Sequence, residues 1–196
     1  MRLPPAFRIL RRVSQPRVID LSAAPGSGEK WNAPAWKVYA WGLVELLLVS
    51  NPWQISSRLR RLALVAFGAR IGSGVVLRPR LRVRFPWKLA IGDRSWIGED
   101  VWLHNQDQLT IGSDAVVSQG TFVTTGSHAH RRDMALITKP IVIDDGAWVT
   151  ARCVVLGGSR IGVSALVTPG TVVSGDVPDG MVFGQAGRTV LRPRFP

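Results

Sequence analysis

The chain has little that could cross-link it or carry it across a membrane. Its single cysteine excludes an internal disulfide and is consistent with a reducing compartment. The main apolar stretch, residues 36–50, is interrupted by charges and ends at Asn51-Pro52, short of the roughly 20 apolar residues that a membrane span needs. The basic residues 1–12 lack the apolar run and cleavage site of a secretory signal. A cytoplasmic location is expected, with the inner face of the cytoplasmic membrane as an open alternative.

Acidic residues are also scarce. Thirteen Asp and Glu residues against 25 Lys and Arg residues give a formal net charge of +12. This balance favours acidic partners such as anionic lipid or phosphorylated ligands, although a generally arginine-rich composition would also produce it. Nucleic-acid binding is not expected, because the aromatic residues fall at coil or helix positions instead of forming a stacking platform.

A six-residue repeat fills the chain from Ile71 to about Val182. Position one is aliphatic and position five is usually small, a pattern that predicts a β-helix in which the inward residues of successive coils form one core. The clearest blocks begin at Ile71, Ile91, Ile97, Ile111, Ile143 and Ile161. The small residues expected at the narrow corners are Ser95, Ala115, Thr121, Ala147, Cys153, Ser159 and Ala165. Cys153 is therefore expected to be buried and inert rather than a nucleophile.

The region before the repeat divides into an irregular basic segment with a linker, residues 1–35, and an amphipathic helical segment, residues 36–70. Two short helices over the open end of the β-helix are expected, since a solenoid needs its terminal coil covered. Trp and Arg residues also suit an interfacial patch against anionic headgroups, and both interpretations can hold together.

Two features interrupt the coils. Arg78, Arg80, Arg82 and Arg84 alternate and predict one basic strand face, either simply solvated or binding a phosphate or headgroup. After His128 the period is lost, which predicts a protruding loop over residues 129–140. Long loops on rigid scaffolds usually carry function.

The sequence resembles the hexapeptide acyltransferases, in particular the colanic-acid biosynthesis acetyltransferases, which are related to galactoside and maltose O-acetyltransferases. The resemblance covers residues 36–190. It rests on the segments 85–89, 96–102, 117–120, 126–128, 136–141 and 145–149, together with 50–52 and 67–69. It implies a mainly β fold: a left-handed parallel β-helix over residues 71–182 with a short helical N-terminal cap, a protruding loop and a C-terminal tail, residues 183–196. The handedness is implied by the resemblance alone.

The resemblance also implies the chemistry. An O-acetyltransferase of exopolysaccharide biosynthesis would move an acetyl group from acetyl-CoA to a sugar hydroxyl, with His128 as general base in a direct attack. Imidazole suits that task near neutral pH. From residue type alone, His128 could instead be a packed loop histidine. His130 could assist or face solvent, and Asp133 could orient the imidazole or do nothing of the kind.

Further site residues follow from the resemblance. Asn105 matches the region of an acceptor-binding asparagine, or it holds a turn at a corner. Trp148, Thr150, Ala151, Thr168 and Pro169 match positions along the pantetheine arm, and Arg188 matches a basic residue near the nucleotide phosphates. The family implies a homotrimer with sites shared between subunits and no metal. Gly175 and the segment 184–187 depart from the family pattern at the adenosine end.

Two rival functions remain open. A zinc carbonic anhydrase with this fold needs three converging histidines, and the spacing of His104, His128 and His130 does not match such a set. A non-catalytic binding or scaffolding solenoid would share the repeat without the chemistry.

Overall fold

Two helices precede the coils in the computed structural model, which describes residues 18–25, 31–184 and 190–193. Helix α1 (Ala35–Val44) continues as a π-helical turn (Glu45–Val49), and helix α2 (Ser57–Ala66) follows. The hydroxyl of Ser56 starts α2 by accepting a hydrogen bond from the Leu59 N–H at 3.3 Å. Short 3₁₀ turns lie at Leu21–Ala23 and Pro86–Lys88.

The helices cover the open end of the first coil, whose carbonyl groups have no preceding coil to pair with. The Trp41 indole N–H donates to the Val83 carbonyl at 2.8 Å, and Arg61 Nη2 donates to the Ile71 carbonyl at 3.0 Å. These bonds satisfy carbonyl groups at the open end of the first coil, so the helices cap the solenoid as the fold requires. Among the described residues, none of the helices combines the length and apolarity needed to cross a membrane.

The rest of the chain is a parallel β-solenoid of about six turns. Five turns have three strands each, and a hairpin interrupts the series after the third turn. In chain order the strands are β1 (Arg70–Ile71), β2 (Val76–Leu77), β3 (Arg82–Val83), β4 (Leu89–Ile91), β5 (Trp96–Ile97), β6 (Trp102–His104), β7 (Leu109–Ile111), β8 (Val116–Val117), β9 (Phe122–Thr124), the hairpin strands β10 (Gly126–His128) and β11 (Leu136–Thr138), β12 (Ile141–Ile143), β13 (Trp148–Val149), β14 (Val154–Leu156), β15 (Arg160–Ile161), β16 (Leu166–Val167), β17 (Val172–Val173), β18 (Met181–Phe183) and β19 (Val190–Pro193).

Strands at the same place in successive turns pair in parallel, so the solenoid has three faces. The faces run β1-β4-β7-β12-β15, β2-β5-β8-β13-β16-β18 and β3-β6-β9-β14-β17. Val177 pairs with Ile161 and so begins the sixth turn, and β19 runs antiparallel to β18. The registers Ile71 to Ile91 to Ile111 stack the first position of the repeat on itself.

The stacked registers produce the core that the repeat predicts. The six isoleucines that open the repeat blocks are all buried, and so are the seven small residues expected at the corners. Each fully buried aliphatic side chain contributes about 1.5–3 kcal/mol. The predicted β-helical core is confirmed, and the thiol of Cys153 is enclosed within it.

Glycine follows the first isoleucine of several blocks because the next coil leaves no room for a side chain. A Cβ on Gly92 would lie 2.5 Å from the Ser113 nitrogen, and one on Gly112 would lie 2.6 Å from the Asp145 nitrogen. The corner is then closed by the next coil: the Asp145 carboxylate accepts a hydrogen bond from the Ser113 N–H at 2.7 Å.

The prediction of a single basic strand face was wrong. The chain turns between β2 and β3, where Arg80 adopts a left-handed conformation with φ of 58°. The four arginines are therefore divided between two faces and a corner. Arg80 binds Asp100 at 2.6 Å, and the Arg82 guanidinium lies 3.8 Å from the centroid of the Trp102 ring.

Candidate active site

The chain leaves the solenoid as a hairpin, whose turn and second strand lie within the loop predicted over residues 129–140. Strands β10 and β11 pair antiparallel, with His128 opposite Leu136. His128 is the last residue of β10 and its side chain is exposed. The hairpin is tied to the third turn, because the Lys139 N–H donates to the Thr125 carbonyl at 2.9 Å. His128 therefore stands on a strand that a rigid scaffold holds.

The hydrogen bonding of His128 defines its tautomer. Its Nδ1 atom lies 2.8 Å from the Met134 carbonyl oxygen. A carbonyl oxygen can only accept, so Nδ1 carries the proton in this contact. In the neutral ring, the lone pair then belongs to Nε2, which is free to accept a proton from a substrate.

The turn beyond His128 holds the Met134 carbonyl in a fixed position. Met134 has a φ of 60°, a conformation that side-chain-bearing residues seldom adopt. The N–H groups of Arg132, Asp133 and Met134 all donate to the Ala129 carbonyl, and the Asp133 carboxylate accepts from the Ala135 N–H at 3.0 Å. Asp133 thus stabilises the turn and makes no direct bond to the imidazole.

A cavity of about 490 Å³ opens beside His128. Its walls come from the hairpin and from the ends of β14 and β17, including Leu156 and Ser174. Three basic side chains, Arg131, Arg132 and Lys139, and the exposed His130 also line it. Of the described residues that line this cavity, none carries a carboxylate. The cavity therefore favours a ligand with negative charge.

Asn105 is fully buried at the corner after β6 and does not reach the cavity beside His128. Its carbonyl oxygen accepts from the Phe85 N–H at 3.1 Å, and its amide nitrogen donates to the carbonyls of Phe85 and Lys88 at 2.7 and 3.2 Å. These bonds use its polar atoms within the protein. The contacts favour the turn-holding interpretation over acceptor binding.

Trp148 lines a different cavity, of about 660 Å³, on the outer side of the second solenoid face. Its indole N–H donates to the Ser118 hydroxyl at 2.9 Å, and Trp96 lies on the same wall. The ring of Trp148 is 40% exposed, so one side remains available for contact. Trp148 lines this cavity and not the cavity beside His128.

The other expected cofactor positions cluster at one corner. Thr150 and Ala151 follow β13, and Thr168 and Pro169 follow β16, the strand stacked on β13. The Gly170 N–H donates to the Ala151 carbonyl at 3.0 Å, so the two turns are in direct contact. Thr150 is buried, with its hydroxyl donating to the Val167 carbonyl at 2.6 Å. Arg188 lies outside the described residues.

Metal-ligating side chains do not gather in the described residues: no group of three or more His, Cys, Asp or Glu could hold an ion there. His104 is on the third face, where its ring packs 5.4 Å from that of Trp102 and its Nδ1 lies 3.3 Å from the Thr124 hydroxyl. It is thus engaged on a strand rather than in the hairpin.

Sequence reasoning missed the partner of His128, because that partner is a backbone carbonyl. The residue type of Met134 has no bearing on the bond. The only available signal was the spacing, since a six-residue separation within a hairpin can bring a side chain back to a turn carbonyl.

Comparison with known proteins identifies relatives. No family model matches the chain. WcaF of Escherichia coli strain K12, named for an acetyltransferase role in colanic acid biosynthesis, is 35% identical over 161 residues, covering 82% of this chain and 88% of WcaF. A galactoside O-acetyltransferase of Lactococcus lactis is 25% identical over 122 residues, 59% of each chain.

Among solved structures, the hexapeptide-repeat acetyltransferase VCA0836 of Vibrio cholerae, in complex with acetyl coenzyme A, superposes with a TM-score of 0.72. The match covers 81% of this chain and 87% of VCA0836 at 24% identity, and it shows a shared fold. The similarity to WcaF, at 35% identity over most of both chains, shows more than a shared fold. This chain belongs to the hexapeptide-repeat acetyltransferase family.

Proposed function

We propose that the protein transfers an acetyl group from acetyl-CoA to the hydroxyl of a sugar acceptor, with His128 as general base. The observation that carries this proposal is the hydrogen bond from His128 Nδ1 to the Met134 carbonyl at the rim of a cavity. It leaves Nε2 as the proton acceptor, on a side chain that the hairpin holds in place. Membership of an acetyltransferase family supports the same chemistry.

The reaction needs one proton to move and one acyl bond to be exchanged. His128 Nε2 takes the hydroxyl proton as the sugar oxygen attacks the thioester carbon. The carbon–sulfur bond then breaks, and the leaving thiolate of CoA receives the proton from the imidazolium. The acceptor gains an ester, free CoA thiol is released, and the histidine returns to its starting state. Cys153 takes no part, because it is enclosed in the core.

Acetyl-CoA as donor is supported by the fold neighbour VCA0836, which was solved with acetyl coenzyme A bound. In this chain, the exposed side of Trp148 offers an apolar surface for the pantetheine arm. The neighbouring corner of Thr150, Ala151, Thr168 and Pro169 is proposed, from the resemblance alone, to lie along that arm. Arg188 is proposed, from the resemblance alone, to approach the nucleotide phosphates.

The arrangement of the two cavities supports a homotrimer with shared sites. A thioester at His128 requires the pantetheine arm to pass close by, yet Trp148 lines a separate cavity of the same chain. A neighbouring subunit that brings its own Trp148 towards His128 would complete the site. Each active site would then lie between two subunits.

The acceptor is proposed to be a sugar that carries negative charge, in polysaccharide or exopolysaccharide biosynthesis. The names of WcaF and of the galactoside O-acetyltransferase support a glycan acceptor. The charge is supported by Arg131, Arg132 and Lys139 around the His128 cavity. These cations are poorly placed for the CoA phosphates, because the long pantetheine arm separates the diphosphate from the reacting thioester.

The test is thiol release from acetyl-CoA in the presence of nucleotide sugars, lipid-linked glycans and neutral glycosides. The wild-type protein should release thiol with at least one anionic acceptor, and His128→Ala should lower that rate by about 10²–10⁴-fold. His130→Ala, which removes the other imidazole of the cavity, should retain most of the rate. Acceptor-dependent release that is equal in wild type and His128→Ala would contradict the proposed base. If the wild-type protein releases no thiol with any acceptor, a non-catalytic solenoid is favoured.

A further inference from the structure

The first helix of the protein is apolar on the side that faces the solenoid and also on the side that faces away from it. On the inner side, Trp41 and Val49 are 2% and 0% exposed. A surface helix normally carries polar residues on its outer side. The outer side of this segment instead carries Trp36, Tyr39, Leu43, Leu46 and Leu47.

These five residues form one stripe. At about 100° per residue, their positions fall within roughly a quarter to a third of the helix circumference. Their exposed fractions are 69%, 72%, 60%, 64% and 52% in the same order. A continuous exposed apolar stripe of this kind marks an interaction surface, because isolated apolar residues are common on protein surfaces but aligned ones are not.

The turn after the helix extends the apolar surface and is held firmly. Trp53 is 90% exposed and Ile55 is 83% exposed. The Trp53 N–H donates to the Asn51 side chain at 2.9 Å, and the Gln54 side chain donates to the Leu48 carbonyl at 2.6 Å. These bonds fold the turn back onto the end of the helix, so its apolar tip is fixed next to the end of the stripe.

The charge of this end of the protein indicates what covers the stripe. The cap, residues 31–70, contains five Lys and Arg residues, of which Arg60 is buried, and one acidic residue, Glu45. Glu45 is directed inward, where its carboxylate accepts from the Val83 N–H at 2.7 Å, and burial raises its pKa. The outward charge of this region is therefore positive, including the exposed Arg58 and Arg70.

We propose that residues 36–55 dock the protein on a membrane surface that contains anionic lipid, a function separate from acetyl transfer. Leucines would enter the headgroup–acyl boundary, and Trp36, Tyr39 and Trp53 suit the interface, where aromatic rings with one polar atom concentrate. The neighbouring cations would attract the negative surface. A protein partner would have to supply an apolar groove and negative charge together, whereas an anionic bilayer supplies both.

The experiment is flotation of the full chain with phosphatidylcholine vesicles, with and without phosphatidylglycerol. Binding is expected only with phosphatidylglycerol, and it should weaken as salt is raised. The pairs Trp53→Ser with Ile55→Ser and Leu43→Ser with Leu46→Ser should each lower the partition constant by about tenfold or more. Val163→Ser, an exposed apolar position on the solenoid, is the matched control and should bind as the wild type does.

Two results would overturn the proposal. One is the absence of binding to phosphatidylglycerol vesicles by the folded wild-type protein. The other is a fall in oligomer mass, seen by light scattering of the stripe variants, with vesicle binding unchanged; the stripe would then be an interface between copies of this chain. Thiol release with a water-soluble acceptor should be unaffected by the stripe variants, so failure of this proposal is distinguishable from failure of the proposed chemistry. Circular dichroism of each variant should match that of the wild type, which checks that the fold is kept.

Discussion

The Nδ1 atom of His128 lies 2.8 Å from the carbonyl oxygen of Met134. That one hydrogen bond determines which ring nitrogen holds the proton and which can act as a base. The carbonyl is aimed by a turn in which Met134 has a φ of 60°. The proposed base chemistry is thereby linked to the conformation of a residue that need not touch either substrate.

The backbone at Met134 should therefore affect turnover. A β-branched residue is strained at positive φ, so Met134→Val should move the carbonyl and lower kcat by about tenfold. Met134→Gly adopts the same conformation without strain and should retain kcat. The measurement is kcat with both substrates saturating, alongside the melting temperature. A wild-type kcat in both Met134→Val and Met134→Gly would show that the turn does not position His128.

Trp148 should matter for the donor and not for the acceptor. Trp148→Ala removes an exposed ring that is proposed to contact the pantetheine arm, so KM for acetyl-CoA should rise about tenfold or more. The KM for the acceptor should change little. Trp53→Ala removes a tryptophan of the N-terminal cap that is still more exposed and lies outside the proposed donor site, and it should leave both KM values unchanged. An unaltered KM for acetyl-CoA in Trp148→Ala would place the donor elsewhere.

Asn105 should stabilise the fold without binding the acceptor. Asn105→Ala leaves the buried N–H and C=O groups of Phe85 and the Lys88 carbonyl without its amide, at a cost of about 1–3 kcal/mol in the free energy of unfolding. Denaturant unfolding measures that loss. The KM for the acceptor, measured below the melting temperature, should stay at the wild-type value. A raised KM with unchanged stability would restore the acceptor-binding role.

The ion pairs at the corners of the solenoid should contribute less to the free energy of unfolding in acid. Hydrogen bonds and ion pairs with Arg80 and Arg94 lower the pKa values of Asp100 and Asp114 below their ordinary range. A carboxylate whose pKa is lower in the folded state stabilises the fold above the unfolded-state pKa of about 3.9, and that contribution is lost as the pH falls towards the folded-state value.

Thermal unfolding between neutral pH and about pH 3 tests this, because the lower range brackets the unfolded-state pKa. Asp114→Asn should show a shallower loss of stability with acid than the wild type. Asp176→Asn, which changes an exposed carboxylate outside these ion pairs, should follow the wild-type curve. Identical curves for all three proteins would mean that the corner ion pairs are screened by solvent.

If active sites are shared between subunits, mixing two impaired variants should restore activity. His128→Ala and Trp148→Ala should each be impaired alone. Subunits refolded or co-expressed together should recover part of the activity, since some sites would combine an intact His128 with an intact Trp148. Light scattering should give the mass of a trimer. A fully active monomer would contradict the shared site.

The core was predictable from the sequence because its signal repeats locally. Ile97 and Ala115 each occupy a position whose direction is set by the six-residue period, so burial follows without knowledge of distant contacts. His128 was selected as the candidate base for a different reason, because it stands where the period stops, and its role stays a prediction. The left-handedness expected for the coil had no such local signal and was implied by the resemblance alone.

Other features depended on contacts that the pattern does not encode. The residue type of Asn105 suits a sugar hydroxyl and a tight corner equally, and only its burial distinguishes them. The arginines from Arg78 to Arg84 alternate like a strand, but the turn at Pro79-Arg80 separates them. The stripe from Trp36 to Leu47 was hidden in a run that is apolar on every side, so the sequence did not show which residues face outward.

The most direct test of the account separates binding from chemistry at His128. Calorimetric titration of acetyl-CoA into wild type and His128→Ala, followed by single-turnover acetyl transfer to the best acceptor, measures both in the same samples. We expect equal donor affinity and a transfer rate at least about a hundredfold lower in the variant. Equal transfer rates, with equal affinity, would contradict it.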